Sequence, residues 1–230
     1  MKINSKIDTG LDALDTELDG GLSQGTVATI ITQSDSQGEV MFDKFTNLYP
    51  TLYITLEQSP VVLNRRISQR SSTTLDEQDH INVSDLSTIK YEKSIIDEVD
   101  KTISNFKEVI ESSDVDMYTI IIDPVDKIER MGDEHIEKLF DVLHRHIYGE
   151  NMDTVNPCVI YLHALDNNDS STRDVTQHLS DTTMRLFRQR NGVKMEYFLF
   201  VLKNRFGKSL DSGLKVNVGN SINVDTSRNI

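Results

Sequence analysis

Eight polar residues lie between an apolar, β-branched run and an amphipathic helical pattern, in the place of a phosphate-binding loop. They are residues 32–39, with the sequence TQSDSQGE. Such a loop needs glycines whose backbone N–H groups curl around phosphate oxygens, a Lys for the β and γ phosphates, and a Ser or Thr for magnesium. On the pattern G-x-x-x-x-G-K-[ST], these positions hold Thr32, Gln37, Gly38 and Glu39. The segment has the layout of a phosphate site without its defining side chains.

The charge of this loop opposes nucleotide binding. The loop contains no cation and two acids, Asp35 and Glu39. A unit charge at about 4 Å contributes roughly 4 kcal/mol at an effective dielectric constant of about 20. Two such contributions become unfavourable when Gly38 replaces the Lys and Glu39 replaces the Ser or Thr. We therefore expect no ATP hydrolysis and neither ATP nor magnesium as a cofactor, with weak nucleotide binding as the alternative.

Two further carboxylates lie where apolar strands end. Glu57 follows the run TLYITL, and Asp123 ends the run MYTIII. Together with Glu39 they could meet in the crevice at the carboxyl ends of parallel strands and hold a divalent cation. The alternative is that Glu57 and Asp123 are remnants of a lost site, while Glu39 is a first-turn acid favoured by the helix dipole. We favour remnants and predict no metal site.

The histidines and the cysteine suggest no second catalytic centre. His144 and His146 face different sides of a predicted helix that also contains His135, so we interpret all three as solvated rather than metal-binding. His163 ends a strand near the presumed crevice and is interpreted as a hydrogen-bonded polar residue, with nucleotide sensing as the alternative. Cys158, the only cysteine, lies in the apolar run CVIYL and is expected in the core.

A cluster of cations flanks the dipeptide Asn191-Gly192, which is typical of a two-residue hairpin turn. The cations are Arg185, Arg188, Arg190 and Lys194. They could contact DNA or an acidic protein surface. Because the chain has 37 acids against 24 Lys and Arg, a net charge of −13, nonspecific attraction to nucleic acid or anionic membranes is opposed. We therefore do not expect a nucleic-acid partner, and we keep DNA binding as an alternative.

Strand–helix repeats followed by an antiparallel meander must position these residues. Apolar runs predict strands at 27–32, 51–56, 81–83, 117–123 and 158–163, and alternation predicts antiparallel strands at 182–189, 194–203 and 214–224. Helical periodicity predicts helices around Leu14 and at 38–49, 61–70, 92–112 and 133–148. Residues 71–80 and 167–176 are interpreted as loops, the second as mobile. These patterns favour one α/β domain over residues 1–230, with a mostly parallel sheet between helices and a C-terminal antiparallel extension.

Several motifs in this order resemble the RecA superfamily, and more closely its KaiC-like archaeal branch. The opening motif is matched by Thr9, Gly10, Leu11, Leu14, Asp15, Gly20, Gly21 and Gly25. LYITLEQSP is similar to the strand that ends in the family's catalytic carboxylates, and IIIDP is similar to the Walker B strand. SDTTMRL, a hairpin and VLKNRFG resemble the closing segment, whose Lys-x-Arg reaches a neighbouring subunit's nucleotide. The resemblance implies a RecA-like P-loop NTPase fold with a degenerate Walker A loop.

The resemblance also implies which functional positions remain. The family's paired glutamates are reduced to Glu57 followed by Gln58, whereas Asp123 occupies the Walker B position and Lys203 and Arg205 occupy the closing Lys-x-Arg. The chain thus keeps the half of a shared active site that is donated in trans and loses the receiving half. This pattern suits a homo-oligomer, or a hetero-oligomer with a competent RecA- or KaiC-type paralogue. Alternatively, Lys203 and Arg205 simply solvate a strand end.

Our leading functional interpretation is a pseudo-ATPase that acts as a regulatory or signalling protein-interaction module. The alternatives are an active or weakly ATP-binding RecA-type ATPase and a DNA recombination or repair accessory protein. The N-terminus lacks the apolar region of a signal peptide, and no run approaches about 18 apolar residues, so we expect a cytoplasmic protein without a membrane partner. The excess of Asp resembles that of proteins from very salty cytoplasm.

Overall fold

The computed structural model describes residues 5–33, 38–70, 80–89, 92–113, 115–149, 155–166, 171–210, 212–218 and 222–224. Residues 71–79 of the predicted loop at 71–80, and residues 167–170 of the predicted loop at 167–176, lie outside these residues. Among the described residues, no helix is long and apolar enough to cross a membrane.

The strands and helices follow the predicted alternation. The strands are β1 Lys6–Ile7, β2 Leu22–Ser23, β3 Thr26–Thr32, β4 Thr51–Thr55, β5 Ile81–Asp85, β6 Tyr118–Asp123, β7 Cys158–Leu165, β8 Thr182–Asn191, β9 Lys194–Asn204, β10 Leu214–Val218 and β11 Ile222–Val224. The helices are α1 Asp12–Glu17, α2 Val40–Phe45, α3 Pro60–Arg70, α4 Glu92–Glu111, α5 Asp126–Glu129, α6 Asp133–Tyr148 and α7 Ser171–Leu179.

Within the described ranges, one nine-stranded sheet organises the chain, in the order β11-β10-β9-β8-β3-β7-β6-β4-β5. The strands from β8 across to β5 run parallel to one another, whereas β9, β10 and β11 extend the sheet antiparallel from β8. A small antiparallel pair, β1 and β2, stands apart. The α/β class with its C-terminal antiparallel extension is therefore confirmed.

The central strands are buried on both faces, which explains their continuous apolar runs. Val27 and Ile31 of β3 contribute to a core shared with α4 and α6. Ala28 and Ile30 contribute to a second core on the opposite face, shared with α1 and α2. Because these strands are parallel, the carboxyl ends of β3, β4, β6 and β7 meet at one edge of the sheet.

Three local predictions were wrong. Residues 171–176 are not a mobile loop but belong to α7, which buries Arg173 and Thr176. The hairpin turn lies one residue later than predicted, because Asn191 pairs with Lys194 and leaves Gly192 and Val193 as the turn. Helix α2 ends at Phe45 rather than near residue 49. In addition, the short helix α5 was not predicted.

Candidate functional site

The two described ends of the predicted phosphate loop, Thr32 and Gly38, lie against each other. Gln37 and the rest of 34–37 lie outside the described residues, whereas Thr32, Gly38 and Glu39 are described. A Cβ atom on Gly38 would overlap the Cβ and Cγ2 atoms of Thr32. Only glycine therefore allows the chain after the loop to pass so close to the end of β3. Glu39 precedes α2 and makes no capping hydrogen bond with its side chain.

A chain of hydrogen bonds crosses the carboxyl ends of the central strands. Thr32 Oγ1 lies 2.8 Å from His163 Nε2, and His163 Nδ1 lies 2.6 Å from Asp123 Oδ1. The hydroxyl of Tyr53 donates to Asp123 Oδ2. Arg66 of α3 donates to that Tyr53 hydroxyl at 2.9 Å and places a guanidinium nitrogen 3.7 Å from Asp123 Oδ2. We call these five residues the strand-end network.

Burial and neighbouring charges shift the pKa values of three residues in this network, Asp123, Tyr53 and Arg66. Burial disfavours the carboxylate of Asp123, yet the hydrogen bond and charge of His163, with the charge of Arg66, hold its pKa below the ordinary value. Burial and the neighbouring carboxylate raise the pKa of Tyr53, so its hydroxyl stays a donor. Burial alone would lower the pKa of Arg66, but Tyr53 and Asp123 raise it. Asp123 is thus an ionised group with both oxygens engaged.

The order Asp123–His163–Thr32 matches an acid–histidine–hydroxyl relay, an arrangement that activates nucleophiles in hydrolases. The Thr32 hydroxyl is too inaccessible for that chemistry. Thr32 is 1% exposed and its side chain packs against Gly38. A substrate carbonyl has no approach to a hydroxyl in this position, so the relay is a structural hydrogen-bond network.

The predicted carboxylates do not gather around a common point. Glu57 pairs with Arg130 at the surface, while Asp123 is buried in the strand-end network. Gln58, at the second position of the family's glutamate pair, accepts a hydrogen bond from Arg66 at 3.3 Å. In the part of the chain that the structure describes, no group of three His, Cys, Asp or Glu residues could hold a metal ion.

The two cations of the closing segment differ in their contacts. Lys203 Nζ donates to the carbonyls of Gln177, His178 and Ser180, at 3.1, 2.7 and 2.5 Å, and so closes the carboxyl end of α7. Burial and the nearby charge of Arg205 lower its pKa. Arg205 donates to the buried carboxylate of Asp181 at 2.9 Å, and its side chain remains 47% exposed. Arg205 can therefore contact another molecule, whereas Lys203 is used within the chain.

A buried cluster of charged side chains was not predicted from the sequence. Arg173 of α7 donates to both carboxylate oxygens of Glu129 from Nε, at 2.7 and 2.9 Å, and to Asp126 Oδ1 at 2.9 Å. Thr176 donates to Glu129 at 2.7 Å, and Arg173 also reaches the carbonyl of Leu165. The sequence signal was the spacing of three residues within each pair, 126 with 129 and 173 with 176, which puts both members on one helix face.

One histidine that was interpreted as solvated is buried instead. His146 is 9% exposed, and its Nε2 lies 2.7 Å from Oδ1 of Asp100 on α4. Burial lowers its pKa, although the hydrogen bond and the charge of Asp100 oppose that shift. Arg66 of α3 also turns inward, to the strand-end network. His163 is hydrogen-bonded as expected, and Cys158 is in the core.

The cations of the β8–β9 hairpin separate into two groups. Arg185 lies near the end of β3 and pairs with Asp166. Arg188, Arg190 and Lys194 lie further out toward the turn. At the turn itself, Val193 is 93% exposed.

The architecture and the chain length match a known structure. The crystal structure of a KaiC-like protein from the hyperthermophilic archaeon Pyrococcus horikoshii OT3 superposes with a TM-score of 0.76. The match covers 96% of this chain and 99% of that chain at 14% sequence identity, so it shows a KaiC- and RecA-like fold and nothing about activity. A comparison with curated proteins found no match. The model of a family of unknown function, DUF7125, matches residues 6–230, and the chain belongs to this family.

Proposed function

We propose that this protein is a RecA-fold pseudo-ATPase, a single-domain module that regulates or signals by binding other proteins. The observation that carries the proposal is the engagement of Asp123. In P-loop NTPases the corresponding aspartate helps to hold magnesium. Here one carboxylate oxygen is bound to His163 and the other to Tyr53, with only 3% of the residue exposed. A metal ion could reach Asp123 only after the network had opened.

The surroundings of Asp123 support the same reading. Thr32 and Gly38 occupy the space at the end of β3, and Gly38 provides no ammonium for phosphate oxygens. Glu39 adds a negative charge at the position that would hold magnesium through a hydroxyl. Glu57 is paired with Arg130 rather than aimed at the crevice beside Asp123.

Calorimetric titration with magnesium-ATP tests the proposal. The expected result is no binding heat at high salt, measured beside an intact RecA-type ATPase as positive control. Micromolar binding that disappears in Glu57→Gln would establish the main rival, an ATPase with a displaced catalytic set. Glu137→Gln removes another exposed carboxylate, on α6, and serves as the matched control.

A trans role toward a competent paralogue is supported by the half-exposed guanidinium of Arg205. In shared active sites of this type, a cation from one subunit stabilises charge on the neighbour's phosphates. Mixing the chain with such a paralogue should raise the rate of ATP hydrolysis by that paralogue. Arg205→Ala should remove the increase, and Lys208→Ala, a nearby exposed cation, should keep it. No increase in either mixture would reject the trans role.

The other proposals concern habitat and nucleic acid. The acid excess supports an archaeal, salt-adapted, cytoplasmic origin.

DNA binding through the β8–β9 hairpin is a rival function, supported by the cations of that hairpin. A salt-sensitive gel shift of single-stranded DNA that is lost in Arg188→Ala would favour that rival over the interaction module.

A further inference from the structure

The β8–β9 hairpin carries a charge opposite to that of the whole chain. Residues 188–195, RQRNGVKM, contain three cations and no acid, whereas the chain as a whole has a net charge of −13. The apolar side chains at this tip are also exposed, Val193 by 93% and Met195 by 43%. We call residues 188–195 the hairpin tip. Exposed apolar groups rimmed by charge are typical of a surface that binds a partner of opposite charge.

A cleft elsewhere on the chain has the complementary composition. It has a volume of about 340 Å³ and is lined by Asp8, Asp12, Asp15 and Leu48, among others. Asp8 and Asp12 are exposed, and Leu48, an apolar residue in the same wall, is 45% exposed. We call this the acidic cleft. It pairs carboxylates with an exposed apolar side chain, as the hairpin tip pairs cations with Val193.

The hairpin tip and the acidic cleft lie at opposite ends of the sheet. Leu186 of β8 pairs with Thr32, the last residue of β3, so the strand continues past the carboxyl edge of the sheet to Asn191. At about 3.4 Å per residue, that extension is roughly 17 Å. Leu48 lies between α2 and β4, at the amino edge, where its Cδ1 approaches Gly10. A rigid hairpin therefore cannot enter the cleft of its own chain.

We propose that the hairpin tip of one copy docks into the acidic cleft of a second copy. The cations Arg190 and Lys194 would face Asp8 and Asp12, and Val193 would pack on Leu48. Because the two surfaces differ and lie at opposite ends, the contact is head-to-tail, and it either closes a ring or continues as a filament. This deepens the proposed interaction function by naming the partner and the surface. The test of this docking measures molecular mass, whereas the test of the pseudo-ATPase proposal measures nucleotide binding. Either proposal can therefore fail without the other.

The test uses two charge-reversed variants of the full chain in analytical ultracentrifugation at about 0.15 M salt. The tip variant is Arg190→Glu with Lys194→Glu, and the cleft variant is Asp8→Lys with Asp12→Lys. Wild type should exceed the 26.1 kDa mass of one protomer, and each variant alone should weaken association at least about tenfold. Matched controls with the same charge changes, Lys101→Glu with Lys138→Glu and Glu137→Lys with Asp141→Lys, should associate like wild type.

Mixing the two variants discriminates a head-to-tail contact from other associations. In the mixture, the intact tip of the cleft variant can enter the intact cleft of the tip variant, and the reversed tip can enter the reversed cleft. Association should therefore return to about the wild-type level, with the two variants present in equal amounts. A chain that carries all four reversals should associate with itself again. A monomeric wild type, association unchanged in either variant, or a mixture that associates no more than each variant alone would overturn the proposal. Single-stranded DNA binding lost in the tip variant, with no self-association of wild type, would assign the tip to nucleic acid instead.

Discussion

His163 holds the carboxylate of Asp123 across neighbouring strands, with Nδ1 of the imidazole 2.6 Å from Oδ1 of the carboxylate. Asp123 is the last residue of β6, His163 lies two residues before the end of the parallel strand β7, and both are buried. The other imidazole nitrogen binds Thr32 at the end of β3. The polar side chains of Asp123, His163 and Thr32 thus join three strands of the sheet.

Removal of His163 should destabilise the protein strongly. His163→Ala leaves an ionised, buried carboxylate with one oxygen unpaired, so we expect a loss of about 3–5 kcal/mol in the free energy of unfolding. Asp123→Asn in the same chain should restore part of that loss, because it removes the uncompensated charge. Denaturant unfolding of wild type, both single variants and the double variant measures the coupling. If the losses in the free energy of unfolding of the two single variants add up to the loss of the double variant, the two side chains do not interact.

The stability of the protein should depend on the balance of charges in the buried cluster around Arg173. Arg173→Met leaves Asp126 and Glu129 buried without their cation, and we expect a loss of about 3–5 kcal/mol. The triple variant Arg173→Met, Asp126→Asn and Glu129→Gln should be more stable than Arg173→Met alone, since no unpaired charge remains. Thermal and denaturant unfolding compare the three proteins. A triple variant less stable than the single one would mean that hydrogen bonds, not charge, dominate the cluster.

These two networks show what a local sequence pattern can predict. The apolar runs of β3, β6 and β7 predict buried parallel strands, and parallel strands place Thr32, Asp123 and His163 at one edge. The run TLYITL gives no sign that the Tyr53 hydroxyl binds Asp123, because a buried aromatic is equally compatible with an apolar partner. Tertiary pairing decides that contact, and it depends on residues far apart in the chain.

The failure at α7 has the same cause. Residues 167–176 are polar, which favours a loop when the segment is considered alone. Arg173 becomes a core residue only because Asp126 and Glu129, more than forty positions earlier, face it. His146 was likewise assigned to solvent although Asp100 of α4 covers it. Polar residues that are buried against other polar residues carry no apolar periodicity, so periodicity cannot find them.

His146 should make stability depend on pH in the weakly acidic range. Burial lowers the pKa of His146 in the folded protein, while the unfolded chain keeps a value near 6.5. Below that value the unfolded state binds more protons, so this stability is full above about pH 6.5 and is lost as pH falls toward the folded pKa. The slope for one proton is at most about 1.4 kcal/mol per pH unit.

Denaturant unfolding of wild type and His146→Gln across this pH range measures the effect. The variant keeps a hydrogen-bonding side chain for Asp100 and loses the titrating group, so its stability should change less with pH. His135→Gln replaces another histidine on the same helix and is the control. Equal pH dependence in wild type and His146→Gln would assign the titration to other groups.

Restoration of the missing phosphate-loop residues should not restore nucleotide binding. In Gly38→Lys with Glu39→Thr, the new Cβ at position 38 overlaps Thr32, and Asp123 remains bound to His163 and Tyr53. We expect no calorimetric signal with magnesium-ATP and a loss of about 1–3 kcal/mol of stability from the overlap. Adding Thr32→Gly removes the overlapping atoms but also the hydroxyl that binds His163, so we expect no net gain of stability and still no binding. Micromolar binding by the two-residue variant would show that loss of the loop side chains alone, and not closure of the strand ends, separates this protein from nucleotide-binding relatives.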